Sequence, residues 1–85
     1  MKTKDKISIL KKWCKSVNSV SSRKFYVMPE IEKENGADIV SVEVSGSHFV
    51  SNGQIEVICA NTGLYFYGIM NINSVLILQF SSEEI

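Results

Sequence analysis

The chain has one proline, one histidine and two cysteines in 85 residues, and no lysine or arginine after Lys33. Each shortage removes something. Two cysteines are too few for a disulfide framework. Cys14 and Cys59 also stand apart from each other and from His48, which argues against a zinc site. The sequence leaves a single Cys14–Cys59 bond open. Little Pro and Gly, with 45% hydrophobic and 21% charged residues, exclude disorder, collagen and low-complexity linkers. A lone histidine without a nucleophile elbow leaves little for catalysis, so His48 reads as a loop residue and no enzyme activity is expected. Gly36, Gly46, Gly53, Gly63 and Gly68 are isolated, so there is no glycine-rich phosphate loop. No internal repeat stands out.

The first residues carry charge on both sides of a very short apolar patch, unlike a secretory leader. Val57 to Ser82 contains no charged residue and is long enough by count to cross a bilayer. Asn61, Thr62, Gly63, Asn71, Asn73 and Gln79 interrupt it at turn-like spacing, so it reads as buried strands. The expectation is a protein of the reducing cytoplasm, without membrane contact and with no cofactor or metal.

What is present is polarised. Residues 1–24 hold eight basic residues against Asp5, a net charge of +7. Residues 25–85 hold eight acidic residues against Lys33, a net charge of −7. Such asymmetry points either to a basic arm with its own partner or to attraction between the two halves.

The spacing of Ile7, Leu10, Cys14 and Val17 predicts a helix over about 4–20, with Trp13 and Val20 widening its apolar stripe. Lys6 falls inside that stripe and must snorkel. Thr3 could cap the start, and a serine-rich run ends it. Beyond Arg23 the pattern predicts strands at about 25–31, 39–50, 54–60, 64–70 and 74–80. Asn35-Gly36 and Asn52-Gly53 are hairpin signals; Asn61-Thr62-Gly63 and Asn71-Ile72-Asn73 supply further turns. The expected fold is therefore α+β. An N-terminal amphipathic helix packs on a five-stranded antiparallel meander, forming a curled sheet or partial barrel. The last strand is apolar on both faces, which predicts barrel closure or burial against a second subunit.

At 9.5 kDa such a domain buries about 63% of its surface on folding, a marginal share that association often supplements. Candidate contact residues are few. Lys11, Lys12, Lys15, Arg23 and Lys24 could form a basic patch at the end of the helix. Tyr65 and Tyr67 could share a sheet face as a stacking platform, although between Glu34 and Ile85 there is no lysine or arginine to track phosphates. Glu30, Glu32 and Glu34 alternate along one strand and fail the spacing of a calcium loop, so they read as a solvated hairpin that protects an edge.

A helix followed by five curved strands in about eighty residues is similar to the Sm-like fold of ring-forming RNA-binding proteins. The nearest counterpart of that family's second motif, Phe66-Tyr67-Gly68-Ile69-Met70-Asn71-Ile72, lacks a basic residue, so no RNA-binding residue is carried over. The leading expectation is a small non-enzymatic interaction module that forms a dimer or higher oligomer or binds another protein, of the immunity or adaptor kind found in bacteria and phages. The alternative is nucleic-acid binding through the basic helix, as an Sm-like resemblance would imply.

Overall fold

A computed structural model of the chain describes residues 2–46 and 50–84. Six elements follow in order: α1 (Thr3–Asn18), β1 (Lys24–Glu34), β2 (Ala37–Ser45), α2 (Asn52–Thr62), β3 (Tyr65–Ile72) and β4 (Val75–Ser81). The four strands form one antiparallel sheet in the order β1-β2-β4-β3. The fold is thus α+β, with two corrections. There are four strands in an open sheet rather than five in a curled meander, and the segment expected as a strand at 54–60 is helical. The order of elements on which the Sm-like resemblance rested is therefore not the order of this chain.

The reason lies at the ends of α2. The Ser51 hydroxyl accepts a hydrogen bond from the Gln54 amide, capping the helix start. Gly63 closes the other end at φ 76°, its N–H donating to the Cys59 carbonyl. Asn52-Gly53 opens the helix instead of turning a hairpin. Ile55, Val57 and Cys59 alternate as a strand would, but Ile55, Ile58 and Thr62 also recur at helical spacing, and it is these that are buried. Val57 is left exposed.

In α1 the expected stripe is in place. Leu10 and Cys14 are buried, and Ile7, Trp13 and Val17 pack against the core from its margin. The Trp13 ring meets Phe25 edge-on at 5.2 Å. Lys6 is half-buried and donates to the carbonyl of buried Ser82 at 3.3 Å. Two details differ. Thr3 is the first helical residue and gives no side-chain cap. The helix stops at Asn18, so Val20 does not extend the stripe and is 88% exposed.

Two-residue turns close both hairpins. Asn35 (φ 51°) and Gly36 (φ 83°) join β1 to β2; Asn73 (φ 52°) and Ser74 (φ 67°) join β3 to β4. The second turn is shorter than the expected Asn71–Asn73 turn. The second strand, expected to run to Val50, ends at Ser45. Gly46 follows at φ 81°, where a Cβ would lie 3.1 Å from the Ser22 carbonyl oxygen. His48, and the 47–49 portion of that expected strand, lie outside the described residues.

Phe25 and Val27, Val40 to Val44 on alternate positions, and Leu76, Leu78 and Phe80 form one face of the sheet. Both helices share a buried cluster with that face through Leu10, Cys14, Ile55 and Ile58. On the other face Ile39 and Ile77 are also buried. β4 lies between β2 and β3, and Leu76, Ile77, Leu78 and Phe80 on its two faces are all buried within a single chain. Neither barrel closure nor a second subunit is needed to explain them.

The fold also holds a repeat that the sequence does not display. α1-β1-β2 and α2-β3-β4 are two helix-hairpin units. A shift of 38 residues carries Asn35 onto Asn73 and β2 onto β4. The central seam obeys the same shift: Ile39 faces Ser81, Glu43 faces Ile77, and Ser41 faces Gln79, its own counterpart. An approximate two-fold axis therefore passes through the Ser41–Gln79 pair. Under it, edge strand β1 becomes edge strand β3.

Candidate interaction surfaces

Edge strands expose unpaired backbone groups, and this sheet has two edges. At β1 the Asn18 side chain occupies Phe25 on both counts: its amide donates to the Phe25 carbonyl and its oxygen accepts from the Phe25 N–H, each at 2.8 Å. Pro29 removes a further donor, and pairing with β2 slips between Val27 and Ile31. Glu30, Glu32, Lys33 and Glu34 are exposed along the rest of the strand. The hairpin acids thus do lie on an edge. Lys33 is ion-paired with Asp38. Hydrogen bonds from Lys33 and Thr3 hold the Asp38 carboxyl below its ordinary range.

At β3 the described residues show less: a backbone hydrogen bond from Phe66 to Cys59, and no acidic side chain. Tyr65, Phe66, Tyr67, Ile69, Met70 and Ile72 are each 38% to 49% exposed, and the strand has no charged residue. Pairing with β4 places Phe66 and Ile69 on the helix-covered face, opposite Phe80 and Leu78. Tyr65, Met70 and Ile72 are on the other face, opposite Ser81, Ile77 and Val75. The register slips between Phe66 and Gly68, which leaves Tyr67 as the extra residue of a bulge. Phe66 rests edge-on against Phe80 at 6.0 Å. Sequence reasoning found this strand and its tyrosines but missed the run Phe66–Ile72 as a surface. Its only signal was the absence of charge.

The basic residues separate into two groups. Lys24 donates to the Asn18 and Ser21 carbonyls at the C-terminal end of α1, where a cation is favoured. Arg23 donates to the Gln54 side chain at 2.7 Å, tying β1's approach to α2. Lys11, Lys12 and Lys15 are exposed on α1. Because α1 packs on β1, these lysines lie at the opposite side of the sheet from Tyr65 and Tyr67. The fold does not bring the seven candidate contact residues into one site.

Burial disfavours the thiolate form of both cysteines. Both cysteines are free. Burial pushes the Cys14 thiol up to about 11. Burial also raises Cys59, outweighing a backbone hydrogen bond from Phe66. Among the described residues no three His, Cys, Asp or Glu side chains gather to hold a metal ion, and no helix is long and apolar enough to cross a membrane.

No family model, no curated protein and no solved structure matches this chain.

Proposed function

We propose that this protein is a non-enzymatic interaction module that pairs through its β3 edge, first of all with a second copy of itself. One observation carries the reading: β3 is an edge strand with six large side chains exposed and no charge to repel an identical strand. At ~200 Å² for a large side chain, these six offer on the order of 500 Å². Spread over both faces of the strand, that area falls within the roughly 300–600 Å² of a typical monomer's largest apolar patch and short of the ~800 Å² that each partner of a stable interface buries. Backbone pairing and the neighbouring Val57 of α2 would supply more. Antiparallel pairing of two β3 strands would join two four-stranded sheets into one of eight, with two-fold symmetry. The compartment we propose is the reducing cytoplasm, since two cysteines are too few for a disulfide framework.

The test is light-scattering mass across a size-exclusion peak, with absorbance at two wavelengths to detect nucleic acid. A nucleic-acid-free dimer that becomes a folded monomer on Ile69→Lys is the expected result. A monomer at all concentrations would remove self-pairing. The alternative of nucleic-acid binding draws on exposed Lys11, Lys12 and Lys15 alone, since Arg23 and Lys24 are engaged within the fold and the tyrosines lie at the far edge.

A further inference from the structure

A groove runs between α1 and β1, away from the β3 edge. It consists of two hollows of about 400 and 610 Å³ that meet at Lys11. Its helical wall is set by Lys4, Ser8, Lys11 and Lys15, which recur at i, i+4, i+7 and i+11 and so form one stripe along α1. The facing wall is β1, through Val27, Pro29, Ile31 and Lys33. Ile7 and Ile31 make the floor apolar. Ile31 is on the helix-covered face, opposite fully buried Val40, yet remains 45% exposed because α1 does not close over it.

The groove's charge is one-sided. Four lysines line it against a single carboxylate, Asp38, which is already held by Lys33. The strand's own Glu32 and Glu34 pair with Ile39 and Ala37, placing them on the opposite face of the sheet. The complementary ligand is therefore anionic and partly apolar. Lys4 to Lys15 spans about 16 Å of helix, so the positive charge is spread along the groove and a single carboxylate could not match it. About five residues of extended chain cover that distance. A nucleic acid would meet the lysines but would gain little from Ile7 and Ile31; Tyr26 also borders the groove, but its pairing with Glu43 puts it on the opposite face of the sheet.

From this charge complementarity over an apolar floor, we propose that the α1–β1 groove binds an extended acidic peptide segment in which glutamate or aspartate alternates with aliphatic residues. Carboxylates lie along the lysine stripe, and aliphatic side chains enter between Ile7 and Ile31. The site is separate from β3 and does not depend on self-pairing.

The test is fluorescence anisotropy with a dye-labelled peptide alternating glutamate and leucine over ten residues. An equally long polyglutamate and a single-stranded oligonucleotide serve as competitors. The expected result is salt-sensitive binding, at least about tenfold tighter than polyglutamate. Lys11→Glu with Lys15→Glu weakens it by about tenfold or more, and Ile31→Ser weakens it too. Lys12→Glu, an exposed lysine outside the groove, leaves it unchanged. Unaltered thermal unfolding of each variant shows that the fold is kept. The proposal is overturned by absence of peptide binding, or by equal loss in Lys12→Glu. It is also overturned if the oligonucleotide binds more tightly than the peptide and depends on Lys11 and Lys15. Loss of the dimer in the Lys11→Glu, Lys15→Glu variant would instead assign the groove to a second copy and likewise overturn it.

Discussion

β1 and β3 both close an edge of the sheet, both pair with a central strand, and both lose register near the same point, between Val27 and Ile31 in one and between Phe66 and Gly68 in the other. The 38-residue shift makes them counterparts. Glu30, Glu32 and Glu34 correspond to Gly68, Met70 and Ile72, and Pro29 corresponds to Tyr67. At each of these positions β1 holds a group that discourages strand addition and β3 holds one that permits it. β1 is further occupied by the Asn18 side chain. The same backbone geometry is thus finished as a closed edge on one side and an open edge on the other. An open edge maintained beside a closed one is what a docking strand requires.

The strongest way to break this comparison is to give β3 the acids of β1. Met70→Glu with Ile72→Glu should abolish self-pairing, raising the dimer dissociation constant by about a hundredfold or more, about 2.7 kcal/mol. Sedimentation equilibrium would measure it, and unchanged circular dichroism would show an intact fold. The reverse exchange, Glu32→Met with Glu34→Ile, should create a second open edge. A chain with two such edges can grow without closing, so species larger than the dimer should appear in light scattering.

The two thiols sharpen the comparison further. Cys14 lies beneath the β1 side and is buried, whereas Cys59 lies beside Phe66 of β3 and is half-buried. In the folded protein, Cys59 should react with a disulfide reagent at least about tenfold faster than Cys14, whose thiolate is suppressed by burial. Raising the protein concentration should slow Cys59 alone.

The two hairpin turns differ by one residue type. Ser74 stands at φ 67° where the first hairpin has Gly36 at φ 83°. Ser74→Gly should stabilise the protein by about 0.5–1 kcal/mol, and Gly36→Ser should cost a similar amount, both read from urea unfolding.

The smallest effect concerns acid. Asp38, beside the β1 edge, has its carboxyl held down by hydrogen bonds from Lys33 and Thr3. A lowered folded-state pKa adds stability that is present above the unfolded value, near 4, and is lost as pH falls through the folded value. Lys33→Ala should therefore cost slightly at pH 7 and progressively less as the pH falls below about 4. β3 has no titratable counterpart.

The sequence was most legible where one periodicity stood alone. The stripe of Ile7, Leu10, Cys14 and Val17 admits only a helix, and Asn35-Gly36 admits only a tight turn. It was ambiguous at Ile55 to Thr62, where strand and helix spacings overlap. The deciding groups there were the Ser51 cap and Gly63, which has the same residue type that a loop would use. Two-sided apolarity in Leu76 to Phe80 was visible, but not that β4 would be a central strand buried on both faces within one chain. Which strand lies at an edge follows from the β2–β4 seam, a pairing between residues about forty apart that no local pattern encodes. For the same reason the exposed lysines of α1 were legible as a group, whereas the engagement of Arg23 and Lys24, and the distance from Tyr65 and Tyr67, were not.

The duplicated helix-hairpin unit has a kinetic consequence. Each hairpin is closed by a two-residue turn and forms on a scale of roughly microseconds. The seam between them closes a far longer loop, from Ile39 to Ser81, and so forms later. Until it does, Val40 to Val44 and Leu76 to Phe80 are open to solvent, and each half can meet the matching half of another molecule as readily as its own. Chain concentration during refolding therefore selects between closure within one chain and exchange of halves between two.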